Sequence, residues 1–175
     1  MTTSATVFYV TYIGVLFLLL HFDLWPLTLF PAIMKQPTLG IVWTILALII
    51  GGSAFQIGVG HLHMDPMLFL IRVPVPFIFG TIIVLNMLHN SVFANLKQPV
   101  KGIVNTIAAT VIGTALGALY GAVSPMVTGP SQIGPPANDY ERWLASALLG
   151  VTFPFLIFYA EFFKMWPLMK EPQSK

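Results

Sequence analysis

Five long apolar runs dominate this sequence, and they restrict its fold more than any other feature. Each run has roughly the 20 residues that an α-helix needs to cross the hydrocarbon core of a bilayer. The runs do not alternate apolar and polar residues as the strands of a transmembrane barrel do. We therefore predict an all-α integral membrane protein with five spans, at about residues 5–22, 38–59, 67–88, 102–123 and 144–163.

The composition supports a membrane location. Hydrophobic residues make up 57% of the chain and charged residues only 8%, which is too little polar surface to cover a water-soluble globule of this length. The absence of cysteine excludes disulfides and thiolate metal sites. The net charge of +2 is too small to indicate nucleic acid as a partner. The predicted partners are the lipid bilayer and other membrane subunits or further copies of this chain.

The positions of the basic residues predict the orientation. Arg142 lies in a connection on the opposite side from the lysines, and Arg72 lies inside the third span. Cytoplasmic loops carry the excess of Lys and Arg, so we expect the N-terminus outside and the C-terminus in the cytoplasm of a multi-pass protein of the cell (inner) membrane. The six lysines all follow odd-numbered spans, at Lys35, Lys97, Lys101, Lys164, Lys170 and Lys175.

A duplicated phrase indicates an internal repeat. The sequence MKQPTLGIVWTI at residues 34–45 returns as LKQPVKGIVNTI at residues 96–107, with eight of twelve positions identical. Proline suits the first turn of a helix, which by itself explains Pro37 and Pro99. Helix-start chemistry does not require the shared Gly-Ile-Val-x-Thr-Ile that follows.

Two further matches extend the repeat. FDLWPL at residues 22–27 resembles FKMWPL at 163–168, an offset of 141, and VPFIF at 75–79 resembles FPFLIF at 153–158, an offset of 78. The difference of 141 and 78 is 63, which matches the offset of 62 between the duplicated phrases within one residue. We therefore predict a two-helix unit repeated in parallel, in a 2+2+1 arrangement over about residues 5–59, 67–123 and 144–172.

Polar residues stand at equivalent positions near the predicted cytoplasmic ends of the odd spans. They are Asp23, Asn86 and Lys164, and His21, His89 and Glu161 lie within a turn of them. Long polar side chains at span ends usually reach into the interface. The alternative is a polar ring that forms an inner proton or ion site.

Arg72 is the most deeply placed charge in the predicted spans. It stands five residues into the third span, about 7 to 8 Å along the helix. An anionic partner is expected, namely Asp65, Asp139, Glu141 or a lipid phosphate. Arg72 is then either a structural anchor or a gating or substrate-binding residue.

The stretch GHLHMDP at residues 60–66 carries the residues best suited to metal chemistry. In an extended conformation His61, His63 and Asp65 would point to one side, and two imidazoles with one carboxylate could bind zinc, copper or non-haem iron. A His-x-His loop at a membrane surface without a metal is the simpler interpretation. A metal ion at this outer loop is the one cofactor that the sequence suggests.

Glycine and proline patterns concern helix packing. Gly113, Gly117 and Gly121 recur every four residues along the fourth span, which predicts a bare face for close helix contact within this chain or with another. Pro74 and Pro76 lie inside the third span and Pro154 inside the fifth, and they should kink these helices.

Three functions are compatible with these features. The first is a non-catalytic subunit or assembly partner of a larger membrane complex, such as an energy-conversion or oxygenase complex. It is favoured by the scarcity of ionisable residues in the spans and by the unpaired fifth helix. The second is a small transporter or channel, and the third is a metal-dependent membrane enzyme that uses the His61, His63 and Asp65 loop.

Overall fold

The computed structural model describes residues 2–88 and 92–163, and within these ranges every regular element is helical. Five helices are long and apolar enough to cross a membrane. The prediction of five apolar helices is confirmed, although the fifth begins at residue 139, not at 144. The helices are α1 (Thr3–His21), α2 (Thr38–His61), α3 (Pro66–Met87), α4 (Val100–Thr128) and α5 (Asp139–Phe163).

Side chains fix the starts of two helices. The Thr2 hydroxyl accepts a hydrogen bond from the amide of Ala5 at 3.4 Å, at the start of α1. The Asp65 carboxylate accepts two, from the amides of Met67 at 3.0 Å and Leu68 at 3.1 Å, at the start of α3. These bonds satisfy amides that have no partner within the helix.

Three of the helices depart from regular α geometry. In α3 the helix is interrupted at Val73, directly before Pro74, because a proline has no N–H for the helical ladder and its ring clashes with the preceding turn. The interruption lies where a kink is predicted for this span. Wider π-helical turns occupy Gln56–His61 in α2, Ile82–Met87 in α3 and Leu148–Thr152 in α5.

The closest helix crossing is between α3 and α4. A Cβ atom at Gly113 would collide with the carbonyl oxygen of Pro76, and one at Gly80 would collide with the carbonyl oxygen of Ala109. Small residues therefore let the two backbones touch, as in other tightly packed membrane helices. The α1 and α2 helices also pair, and α4 has α1, α3 and α5 as neighbours.

The buried apolar core joins the three odd-numbered helices. It lies at the end of the bundle where α1, α3 and α5 begin, opposite the two Lys-Gln-Pro segments. It consists of Val7 from α1, Phe69, Leu70, Ile71 and Phe79 from α3, and Leu144 and Leu148 from α5.

The two Lys-Gln-Pro segments have the same local conformation. The backbone angles are φ −87° and ψ −3° at Pro37, and φ −85° and ψ −8° at Pro99. The hydrogen bond from Ile41 N to Pro37 O at 3.2 Å corresponds to that from Ile103 N to Pro99 O at 3.1 Å. Equal sequence thus gives equal helix starts, and the 2+2+1 repeat itself stays a prediction.

The helices differ in how far the rest of the chain covers them. Half of the most apolar stretch of α3 is buried, compared with 11% of that of α2. The outward side of α2 carries exposed isoleucines, including Ile41, Ile45 and Ile49. Burial is therefore concentrated on α3, and α2 lies at the periphery.

Candidate functional site

A polar cluster at the Lys-Gln-Pro end joins α1, α3 and the start of α4. We call it the inner cluster. The end of α1 supplies an imidazole and the adjoining turn supplies a carboxylate, whereas α3 supplies a hydroxyl and the α4 start supplies an amide and an ammonium group. Its members are His21, Asp23, Thr81, Gln98 and Lys101.

His21 is the most deeply buried member of the inner cluster. Its side chain has no exposed surface, and its Nε2 lies 3.0 Å from the hydroxyl oxygen of Thr81, which is also buried. The Phe77 ring covers the imidazole at 5.8 Å between ring centres. The other ring nitrogen, Nδ1, has no hydrogen-bond partner among the described residues. The imidazole therefore links α1 to α3 in an environment closed to water.

The pair of His21 and Thr81 has the atoms of a base and a nucleophile. Such catalytic pairs are normally completed by a third group that orients the base, and they must reach a substrate. In the described structure no third group bonds to Nδ1, and both side chains are buried. What the geometry shows of this pair is a hydrogen bond that joins α1 to α3.

Asp23 forms the charged part of the inner cluster. Its Oδ2 lies 2.9 Å from the Lys101 Nζ and accepts a hydrogen bond of 2.9 Å from the Gln98 amide. Partial burial by itself raises the pKa of this carboxyl, but the hydrogen bonds from Lys101 and Gln98 outweigh that effect and hold the pKa below its usual value. The carboxylate is thus charged and ties the α1 end to the start of α4.

Gln98 also joins the end of α1 to the start of α4, by three hydrogen bonds. Its amide nitrogen donates to the His21 carbonyl at 3.1 Å as well as to Asp23, and its Oε1 accepts from the amide of Gly102 at 3.0 Å. The Phe22 ring lies directly over Gly102, where a Cβ atom would collide with it. The end of α1 is therefore seated on the first turn of α4.

The inner cluster includes only part of the polar ring predicted from the sequence. Asp23 and His21 belong to it, whereas Asn86 and Glu161 are exposed on α3 and α5. Lys164 and His89 lie outside the described residues. The sequence does not predict Thr81, Gln98 and Lys101 as members of this site. Gln98 stands in the duplicated phrase, and Lys101 enters the prediction only as a charge that indicates the orientation.

Arg72 is exposed on α3 and forms no ion pair with any carboxylate in the described ranges. Of the partners expected for it, Asp65 caps α3, and Glu141 accepts a hydrogen bond from the amide of Gly134 at 2.9 Å. Asp139 likewise forms no ion pair in the described ranges, and a lipid phosphate as the partner of Arg72 stays a prediction.

The His61, His63 and Asp65 loop does not present a metal-ligand set in this conformation. No group of three or more His, Asp or Glu side chains in residues 2–88 and 92–163 is placed to hold a metal ion. Both histidines are exposed, and the Oδ1 of Asp65 accepts both capping bonds. Metal binding here stays a prediction that would need the loop to rearrange.

The three glycines of α4 face other helices of the same chain. Gly113 touches Pro76 of α3, and a Cβ atom at Gly121 would lie 2.7 Å from the Tyr140 hydroxyl of α5. Gly117 has more room, with 4.0 Å to the Pro76 ring. Sequence analysis left open whether this face packs within the chain or between chains, and the described contacts of Gly113 and Gly121 are within it.

A second polar region lies at the opposite end of the bundle. Glu141 is fully buried there, and its Oε2 has no hydrogen-bond partner in the described part of the chain. Nearby, the Trp143 indole donates to the Tyr120 carbonyl at 2.9 Å, and the Tyr120 hydroxyl lies 2.7 Å from the Thr152 hydroxyl. Sequence analysis had considered Glu141 only as a partner for Arg72. These bonds fix α5 to α4.

The buried polar side chains in both regions thus hold helices of this chain together. No protein family, curated protein or solved structure matches this chain. The candidate function therefore depends on geometry and sequence alone.

Proposed function

We propose that this protein is a non-catalytic subunit of a larger complex in a membrane. One observation carries the proposal. The starts of α2 and α4 have similar sequences, but the rest of the chain covers only the start of α4. Gly102, at the start of α4, is buried under Phe22, whereas its counterpart Gly40, at the start of α2, is exposed. Thr44 is likewise exposed, and its counterpart Thr106 is partly buried.

The contacts of the buried polar groups support the same proposal. His21 bonds to Thr81, and the Tyr120 hydroxyl bonds to Thr152. Intramembrane polar groups in pumps and transporters line a pathway or bind a substrate. In this protein the two bonds connect neighbouring helices, which supports a structural role for these side chains.

Photo-crosslinking from the start of α2 tests the proposal. A benzophenone amino acid is placed at Thr44 or, as the matched control, at Thr106, and native membranes are irradiated. We expect a discrete protein adduct from Thr44, in a complex that purifies with fixed stoichiometry in mild detergent. The Thr106 variant should give a weaker adduct, since its own chain partly covers that position.

Two results would contradict the proposal. One is that Thr44 reacts only with lipid and the protein purifies as a monomer. The other is that the purified monomer, reconstituted in liposomes, carries a solute or ion flux that the Thr81→Val substitution changes. The second result would favour the transporter that the sequence also allowed.

A further inference from the structure

The junction between the end of α1 and the start of α4 repeats in the sequence, but one of its repeats has no partner within the chain. Phe22, at the end of α1, corresponds to Phe163, at the end of α5, by the offset of 141. Gly102, on which Phe22 rests, corresponds to Gly40 by the offset of 62. The chain thus contains a second phenylalanine and a second glycine of the same kind.

Both of these residues are uncovered. Phe163 keeps half of its surface exposed, and its neighbour Phe162 three quarters. A Cβ atom at Gly40 would meet only the side chain of Gln36, at 3.5 Å. In the described structure α2 and α5 are not packed against each other, so Phe163 and Gly40 of one chain do not meet.

We infer that a second copy of this chain supplies the missing contact: the end of α5 of one copy packs on the start of α2 of the next, as the end of α1 packs on the start of α4 within one chain. This inference rests on the proposed function and names the partner. The two surfaces differ, so the contact is heterologous and joins copies head to tail in a ring or an open array.

Other residues also differ between the junction within the chain and the proposed junction between two copies. Within the chain, His21 of the first helix bonds to Thr81 of the next odd helix. By the offsets of 141 and 63, these positions become Phe162 and Leu18. A hydrogen-bonded pair within the chain thus corresponds to an apolar pair, Phe162 and Leu18, at the proposed contact between copies.

The charged pair of the junction has no full counterpart on the start of α2. Asp23 and Lys101 form an ion pair within the chain. The position that corresponds to Lys101 is Leu39, so the start of α2 offers an apolar side chain where the start of α4 offers an ammonium group.

The absence of native cysteine allows a direct test. Two differently tagged copies are co-expressed, one with Gly40→Cys and the other with Phe163→Cys, and membranes are treated with a short thiol cross-linker. We expect a covalent dimer that carries both tags. A matched pair with Gly102→Cys in place of Gly40→Cys should give little product, because Phe22 of the same chain covers Gly102. A single chain with Phe22→Cys and Gly102→Cys, which cross-links internally, shows that the reagent spans this junction.

Gly40→Leu provides a second measurement. The added side chain occupies the place of Phe163 of the neighbour, whereas Gly40 is exposed within its own chain, so folding should be retained. The copy that carries Gly40→Leu also carries Gln36→Cys, and the other copy carries Phe163→Cys. We expect the cross-linked fraction to be about tenfold lower than without Gly40→Leu, which corresponds to about 1.4 kcal/mol. Gly150→Leu, at a position with open space around it, should leave that fraction unchanged.

The outcomes separate this inference from the proposed function. The inference is overturned if the internal pair reacts but no cross-linked product carries both tags. It is also overturned if the Gly40→Cys and Gly102→Cys pairs give equal amounts of product. A different protein cross-linked stoichiometrically to Gly40→Cys overturns it as well but leaves the proposed subunit role standing. If neither a copy nor another protein reacts at the start of α2, both fail.

Discussion

The helix pairs α1–α2 and α3–α4 contain the same duplicated phrase, but their backbones approach each other to different distances. At Gly113 the α3 backbone lies so close that a Cβ atom would collide with the Pro76 carbonyl. At the equivalent Gly51 the nearest atom would be the Tyr12 Cα, at 3.3 Å. Ala109 and its equivalent Ala47 are both fully buried. Equivalent small residues beyond the duplicated phrase thus lie on the face that each even helix turns towards its partner, and the two partners approach to different distances.

The partner helices differ in the residues that they offer at the crossing. The α3 helix has Gly80 in the contact and is interrupted before Pro74, so its backbone can approach α4 directly. The α1 helix is a continuous helix of 19 residues, and the atoms that it places nearest to Gly51 are the backbone Cα and N of Tyr12. The closer crossing is thus the one in which both helices contribute a glycine, Gly80 from α3 and Gly113 from α4.

The largest expected effect comes from a methyl group at the closer crossing. Gly113→Ala should destabilise the protein by about 1 to 3 kcal/mol, since overpacking forces the α3 backbone away. Gly51→Ala should be near neutral, because a gain in helix propensity of about 1 kcal/mol offsets the tighter contact. Reversible unfolding in mixed micelles measures both. Equal losses for the two variants would mean that the crossings are equally close.

The next largest effect concerns the tie between α1 and α3. Thr81→Val keeps the shape of the side chain but leaves the buried Nε2 of His21 without its partner. We expect a loss of about 1 to 2 kcal/mol in the same unfolding assay. Thr11→Val is the control, since the buried Thr11 hydroxyl bonds only to the Val7 carbonyl of its own helix. A similar loss in the control would assign the effect to the threonine hydroxyl in general.

A smaller effect should distinguish the two repeated glutamines. Gln98→Ala removes hydrogen bonds to His21, Asp23 and Gly102 and should cost about 1 kcal/mol. Gln36→Ala, at the equivalent exposed position, should change the stability of the isolated chain by less than about 0.5 kcal/mol. If the Gln36 variant lost as much as the Gln98 variant, the two junctions would be equally closed within one chain.

The smallest effect is the pH dependence from Asp23. Because its pKa is lower in the folded state than the usual value of 3.8, its contribution is present above that pH and is lost as pH falls through the folded-state pKa. Half of this side chain is exposed, so the contribution should stay below about 1 kcal/mol and shrink in high salt. Unfolding of the wild type and Asp23→Asn between about pH 6 and pH 3 measures it. The stability difference should narrow with acid, and a constant difference would show that the ion pair contributes nothing.

Several features of the candidate site could be predicted from the sequence, and others could not. Asp23 and His21 were identifiable because they stand at the end of an apolar run. Their partners Thr81 and Gln98 were not, because they are 60 and 75 residues away along the chain. Ordinary polar residues at such separations carry no local signal of contact.

The sequence by itself determined the number and approximate positions of the apolar helices, because the length of a hydrophobic run is a local property. It also determined the conformation of the two Lys-Gln-Pro helix starts, since proline restricts the backbone wherever it stands. Only the tertiary structure decided that a Cβ atom at Gly113 would collide with the α3 backbone, whereas one at Gly51 would lie 3.3 Å from the α1 backbone. It alone also decided that Gly102 is covered and Gly40 is not. Those differences depend on which helix lies opposite, and a repeated phrase contains no information about its neighbour.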